Sequence, residues 1–206
     1  MLPTIKRIFF DLGSTLIDET DADLQRIREM IAGTDVTEDA YCKKRLEMIR
    51  MELPGDQACI DFFGLAKAPW RSEFEKPFPD AAPILSECKR RGFQLGIIAN
   101  QNPGTKRRLE QWNLLSYFDV IAASAELGVA KPDPAIFQWV LHQANCLPQD
   151  CAIVGDRLDN DIAPANRIGM CSIRLLRGLG AYHEPQCDDE IPSYTIPSLM
   201  DLCSLF

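Results

Sequence analysis

Positive charge is what this sequence has least of. Across 206 residues, 22 lysines and arginines face 30 acids, for a formal net charge of −8. Without a basic excess the chain has no sequence-independent grip on a phosphate backbone, so nucleic acid is excluded as a partner. Histidine is nearly missing as well: His142 and His183 are the only two, and they are not spaced as zinc ligands. The eight cysteines (Cys42, Cys59, Cys88, Cys146, Cys151, Cys171, Cys187 and Cys203) include no C-x-x-C pair. No apolar run reaches the roughly 20 residues of a membrane span, so no membrane role is expected. Met1 to Lys6 carries no signal-peptide run. Scattered thiols without an export signal predict a cytoplasmic protein in which most cysteines act as small buried hydrophobes. Internal repeats and low-complexity stretches are also lacking.

What is present is core-forming material, 46% hydrophobic, distributed in two textures. Ile8-Phe9-Phe10 runs into Asp11 and a Gly13-Ser14-Thr15 turn, which reads as a buried strand. Asp11 then either stands at the rim of a sheet or caps a following helix. From Asp18 to about Lys76 the spacing is helical. Leu24, Ile27, Met30 and Ile31 form one stripe over Thr20–Ile31. Tyr41, Leu46, Ile49 and Leu53 form another after the cap residue Thr37, and a third helix starts near Asp56 beyond the Pro54-Gly55 break. No strand is expected there.

From Phe78 onward helices and strands alternate. Helices are predicted over Asp80–Arg91, Pro103–Trp112, Pro134–Ala144 and Asp161–Ile168. Strands are predicted over Phe93–Ala99, Phe118–Ala122, Cys151–Val154 and Cys171–Leu175, with a last short strand and helix in Tyr194–Phe206. His183–Pro192 reads as a surface loop. The pattern predicts an α/β fold, a Rossmann-like doubly wound parallel sheet with a small all-helical insert. The core is expected to comprise residues 1–17 and 77–206, and the insert residues 18–76.

The strands end on polar groups. The first ends on Asp11, the second before Asn100-Gln101-Asn102, the third leads to Lys131-Pro132, and the fourth ends on Gly155-Asp156 with Asp161 close behind. Ligands of open α/β sheets bind beyond the carboxyl ends of the strands. Carboxylates gathered there repel unless a cation joins them, and hard oxygen donors with room for substrate oxygens suit Mg²⁺. Asp11, Asp156 and Asp161 balance Mg²⁺ plus Lys131, leaving a site able to accept a phosphate dianion. That arrangement fits phosphoryl transfer.

The order Asp11-x-Gly13-x-Thr15, Ile98-Ala99-Asn100, Lys131-Pro132 and Gly155-Asp156-(four residues)-Asp161 resembles the haloacid dehalogenase-like (HAD) superfamily of phosphohydrolases over almost the whole chain. The helical stretch sits where that family inserts a small cap domain. The resemblance implies Asp11 as the nucleophile that forms an aspartyl-phosphate, and Lys131 as the cation holding Asp11 and the phosphoryl group. It implies a metal set of Asp11, the Gly13 carbonyl, Asp156 and Asp161, the last directly or through water. Thr15 fixes the turn or bonds near Asp11. Arg157 faces the substrate or pairs with an acid, and Asp159 is read as a helix cap. Asn100, Thr15 and Arg157 form the candidate substrate-binding set. The implied substrate is a small phosphorylated metabolite; oligomeric state is not legible.

Two positions depart from the family pattern. Gly13 stands where its phosphatases carry the aspartate that protonates the leaving group and activates water, assistance worth about 10²–10⁴-fold. Ala99 replaces a Ser or Thr donor, whose loss costs on the order of 1.5–3 kcal/mol unless Asn100 or Asn102 substitutes. The expectation is a slow or selective phosphatase; the alternative is a non-catalytic phosphate-ligand binder or regulatory protein. A dehalogenase of the same superfamily is opposed by the metal motif, and a phospho-receiver domain by the late Gly155-Asp156. Among the cations of the insert, Lys43, Lys44, Arg45, Lys67 and Arg71 could meet a second anionic group. At least two of the first three are expected on a solvated face.

Overall fold

The computed structural model describes residues 5–206; residues 1–4, which include most of the stretch read for a signal peptide, lie outside it. The elements run in the order β1 (Arg7–Phe10), β2 (Ile17–Asp18), α1 (Thr20–Ile31), α2 (Glu38–Arg50), α3 (Gly55–Phe63), β3 (Lys76–Pro77), α4 (Ala81–Arg90), β4 (Gln94–Ala99) and α5 (Thr105–Gln111). There follow β5 (Val120–Ala123), α6 (Ser124–Leu127), α7 (Pro134–Gln143), β6 (Cys151–Gly155), α8 (Ala163–Ile168), β7 (Cys171–Leu175), β8 (Tyr194–Ile196) and α9 (Leu202–Leu205).

Six strands form one sheet in the order β5-β4-β1-β6-β7-β8, parallel at every pairing. The chain builds outward from β1 through β4 to β5, then returns to the other side of β1 and builds outward again from β6. The strand order therefore reverses between β1 and β6, which is where open α/β sheets form their ligand crevice. The register fixes the depth of the two strand ends. Phe10 pairs with Val154, and the Asp11 N–H donates to the Val154 carbonyl at 2.9 Å.

Alternation of side chains along each strand separates two apolar layers. Ile8, Phe10, Leu95, Ile97, Val154 and Ile173 face one layer with Ile84, Leu85 and Cys88 of α4 and Leu109 of α5. Phe9, Ile98, Ala122 and Ile153 face the other with Ile136, Phe137 and Val140 of α7. Helices on both faces of a parallel sheet bury its continuous Val/Ile/Leu strands, and the doubly wound α/β expectation holds.

The chain divides into two compact units. One is Asp18–Lys76 with Tyr182–Glu184, and the rest of the described chain is the other. Within the first of these, Ile27, Met30, Tyr41, Cys59 and Ile60 share a small core. Thr37 caps α2 by accepting from the Ala40 N–H at 3.2 Å, satisfying one of the helix's orphan donors. Arg45 is buried and grips Asp23 with both Nη atoms, at 2.8 and 2.6 Å, so it serves this unit's interior. Lys43 pairs with Asp39 on the surface and Lys44 with Glu47.

Some expectations are corrected. Leu53 does not continue the buried stripe of α2; it is exposed beyond the helix end. The stretch read as strand-free begins and ends in two-residue strands, because Ile17–Asp18 and Lys76–Pro77 form a small sheet of their own. The helix expected from Asp161 opens instead as a π turn, Leu158–Ile162, in which both Asp161 N–H and Ile162 N–H donate to the Arg157 carbonyl. Among the described residues no helix is long and apolar enough to cross a membrane.

Candidate active site

The first strand delivers Asp11 by cross-strand pairing on both sides, and a tight turn then reverses the chain. The N–H groups of Thr15, Leu16 and Ile17 all converge on the Leu12 carbonyl, at 3.1, 2.9 and 2.8 Å. Ser14 takes a positive φ of 53° to close the loop. Gly13 lies in this turn, in a bridge to Ile17. Thr15 is fully buried, and its hydroxyl donates to Asp11 Oδ2 at 3.5 Å. The Thr15 side chain has no accessible surface, and the contact recorded for its hydroxyl is with Asp11.

Lys131 reaches the same carboxylate from the loop before α7. Its ammonium donates to Asp11 Oδ1 at 2.6 Å and to Asp161 Oδ1 at 2.5 Å. Asn100, one residue beyond β4, clamps the Lys131 backbone: its Oδ1 accepts from Lys131 N at 2.7 Å and its Nδ2 donates to Lys131 O at 2.9 Å. Asn100 is exposed, and its side chain ties down the Lys131 backbone with one donor and one acceptor.

Asp161 enters from the π turn and folds back over the end of β6. Its Oδ2 accepts from the Arg157 N–H at 3.1 Å. Gly155 makes this possible, since a Cβ there would overlap the Asp161 carboxyl group. A π turn beside a functional group is a recurrent device for re-aiming a side chain. Arg157 and Asp159, by contrast, are exposed and pair with each other, Nε to Oδ1 at 2.9 Å and Nη2 to Oδ2 at 2.5 Å. Asp159 is therefore an ion-pair partner, not the helix cap expected for it.

Asp11, Asp156 and Asp161 each place a carboxylate oxygen within 4.8 Å of the other two. All are shut from solvent: exposure is 8% for Asp11, 5% for Lys131, 5% for Asp156 and 1% for Asp161. Burial, the largest influence, pushes the Asp156 carboxyl well above the ordinary range, and Asp161 and Asp11 push it further. Burial likewise raises Asp161 to about 6 although Lys131 opposes it. Burial alone would lower Lys131, but Asp11 and Asp161 outweigh it and hold the ammonium above its usual value. Three carboxylates against one ammonium leave two negative charges that burial penalises. A divalent cation removes that penalty, and the all-oxygen donor set fits Mg²⁺.

Sequence reading missed Arg177, which follows β7. Its Nη1 donates to the Thr15 carbonyl at 2.8 Å. No local pattern marks it, because its partner lies 162 residues away.

Comparison with known proteins places the chain in a family. The family model of haloacid dehalogenase-like hydrolases matches residues 8–175. A glyceraldehyde 3-phosphate phosphatase from Methanopyrus kandleri is 29% identical over 93% of this chain and 93% of its own. The pyrimidine 5'-nucleotidase YjjG from Escherichia coli is 29% identical over 96% of this chain and 87% of its own. Among solved structures, the HAD-type hydrolase YfnB from Bacillus subtilis, bound to magnesium, superposes with a TM-score of 0.74 at 21% identity, covering 98% of both chains. That likeness speaks to the fold alone, whereas the family match spans most of the sequence. The chain belongs to the haloacid dehalogenase-like hydrolase family.

Proposed function

We propose that this protein is a Mg²⁺-dependent phosphatase that hydrolyses a small phosphate monoester through a phosphorylated Asp11. The observation that carries the proposal is the buried bridge from Lys131 Nζ to Asp11 Oδ1 and Asp161 Oδ1, with Asp156 within a metal's reach. The substrates named for the two relatives, a triose phosphate and pyrimidine 5'-nucleotides, are both monoesters of a primary alcohol, and that is the class proposed.

In this reading Lys131 pins one oxygen of Asp11 and leaves Oδ2, restrained only by the long Thr15 contact, to attack phosphorus. Lys131 also offsets charge gathering on the transferred oxygens. Asp11, Asp156, Asp161 and the Gly13 carbonyl would hold the metal, whose chemistry is to neutralise phosphate charge and orient the ester. The backbone N–H of Asn100 stands in for the donor that Ala99 lacks. Asp18–Lys76 is assigned the role of cap, and so the choice of substrate.

Gly13 supplies no general acid or base. Turnover is therefore slow with alkyl leaving groups, and breakdown of the aspartyl-phosphate limits the rate with aryl ones. Phosphate release from p-nitrophenyl phosphate and a panel of alkyl phosphates, with Mg²⁺ and with EDTA, tests this. Asp11→Asn should abolish release, EDTA should suppress it, and a burst should precede the steady state with the aryl ester. Release that survives both D11N and EDTA sinks the proposal. Tight phosphate binding with no turnover in the wild type would favour the non-catalytic alternative.

A further inference from the structure

Outside the carboxylate cluster, one largely shielded cation has no part in the chemistry assigned above. Arg177 is 17% exposed at its side chain, and its partner Asp80 is 20% exposed. Nη2 donates to Asp80 Oδ2 at 2.5 Å, and Nη1 to Asp80 Oδ1 at 3.2 Å and to the Thr15 carbonyl at 2.8 Å. The guanidinium carbon lies 4.1 Å from the centre of the Phe78 ring. Phe78 fastens the same turn from below, its N–H donating to the Leu16 carbonyl at 2.9 Å. Two successive carbonyls of the Leu12–Ile17 turn are thus tied to one knot made of Phe78, Asp80 and Arg177.

The loop carrying Arg177 touches the cluster a second way. A Cβ built on Gly178 would sit 2.7 Å from Ser14 Oγ, and one on Gly180 would sit 2.5 Å from Asp156 Oδ2. Bare backbone therefore lies against the turn and against the metal-side acid. The Gly180 carbonyl is itself held by Arg174 Nη2 at 2.9 Å. The strap Arg177–Gly180 is fixed at both ends, by Arg177 on Thr15 and by Arg174 on Gly180, and only glycine fits where it meets Ser14 and Asp156.

We infer that Arg177 is a positioning residue for Asp11, acting through the Thr15 carbonyl; the inference rests on the nucleophilic role proposed for Asp11. The grip on Thr15 O sets the turn that brings the Thr15 hydroxyl to Asp11 Oδ2 and keeps that oxygen in line. A guanidinium is suited to this because its planar fork holds a carboxylate with two donors and still directs one at a carbonyl. Lysine keeps the charge but not the fork. Misplacement by an ångström near a reacting atom costs about 10²-fold in rate.

The test compares wild type with Arg177→Lys, Arg177→Met and the double variant Arg177→Met/Asp80→Asn, which leaves no unpaired acid. Kinetics with p-nitrophenyl phosphate and Mg²⁺ are read alongside amide hydrogen exchange of the Leu12–Ile17 segment. Arg177→Met and the double variant are expected to lose about 100-fold in the rate at which Asp11 is phosphorylated, read as the burst rate and as kcat/KM, and Arg177→Lys about 10-fold. Exchange should quicken in Leu12–Ile17 while β4 and β6 stay protected. Unchanged exchange in that segment overturns the inference whether or not the enzyme turns over. Faster exchange with an unaltered burst rate overturns it as well, since the turn would then move without moving Asp11. A wild type that releases no phosphate under any metal defeats the phosphatase reading instead, and the exchange measurement still decides whether Arg177 holds the turn.

Discussion

Lys131 is the strongest place to press on the site, because its removal acts on stability and metal binding in opposite directions. In Lys131→Met the stem is largely replaced but the ammonium is gone, so Asp11 and Asp161 lose the donor that bridges them. Both acids stay buried, with Asp156 beside them. Removing one partner of a buried ion pair costs about 3–5 kcal/mol. A chain of this length loses about 2–4 °C of midpoint per kcal/mol, so the metal-free variant should melt roughly 6–20 °C below wild type. Adding Mg²⁺ changes the sign of the comparison. The variant's three acids carry one more uncompensated charge, so the ion binds it more tightly and raises its midpoint more than that of wild type. Saturation at a hundredfold excess over Kd is worth about 2.7 kcal/mol for a single site. Melts followed by circular dichroism in EDTA and in Mg²⁺ read both effects, and kcat should fall steeply in either case. Equal midpoints in EDTA would refute the charge argument, as would a smaller Mg²⁺ response in the variant than in wild type.

Other outcomes follow from the same geometry. Gly155→Ala places a methyl group on the Asp161 carboxyl and should cost about 1–3 kcal/mol of stability together with weaker Mg²⁺ binding by calorimetry; unaltered binding would mean that Asp161 does not hold the ion. Gly13→Asp should speed phosphorylation of Asp11 by alkyl phosphates by about 10²–10⁴-fold. With aryl phosphates it should raise the steady-state rate while leaving the burst rate nearly as it was, so an equal gain in the burst rate for aryl and alkyl esters would count against a missing acid. In EDTA the folded state holds the Asp161 carboxyl at about 6 against 3.8 unfolded, so the fold binds the extra proton. Metal-free stability should therefore rise as pH falls from 6 towards 4, and Mg²⁺ should erase the slope; a metal-free midpoint that drops over that range would contradict the assignment. Cys146 Sγ and Cys151 Sγ lie 3.2 Å apart at the end of the sheet remote from Asp11. Diamide should join them with loss of two hydrogens by mass and no loss of activity, and a cross-link that survives unchanged in Cys146→Ser would show the pairing is wrong.

Helices and strands with a local apolar stripe were legible in the sequence almost to the residue. Cys171–Leu175 and Thr20–Ile31 carry their own boundaries, the first in the alternation of Cys171, Ile173 and Leu175 after Gly169, the second in a stripe that ends before Gly33. Elements without such a stripe were not legible. Ser124–Leu127 is four residues with no buried member, too short for any period to register. The π turn at Leu158–Ile162 follows from the space above Gly155, a tertiary fact that no window of sequence contains. The site divides the same way. Asp11 and Asp156 end strands and could be placed on one edge from topology. The amide of Asn100 finds its partner 31 residues on, so its bonds to the Lys131 backbone were not legible in the sequence.

A parallel sheet brings every carboxyl end to the same edge, so a fold that draws acids from several strand ends concentrates like charge where the strand order reverses. Such a cluster is unfavourable by itself. Burial raises two of its members, and one lysine cannot balance three acids. The surrounding backbone is nonetheless built to keep the acids close. Gly155 and Gly180 give up side chains so that Asp161 and Asp156 can approach, and the Asn100 amide bonds both backbone groups of Lys131. Stability alone would favour apolar residues at these positions, as it does for most buried ion pairs. A charge deficit preserved by so many local concessions is best explained by ligands that arrive from outside, a divalent cation first and then a phosphate dianion. On the function proposed above, Gly13 belongs to the same logic, because it would leave a backbone carbonyl for the cation and no side chain to donate a proton.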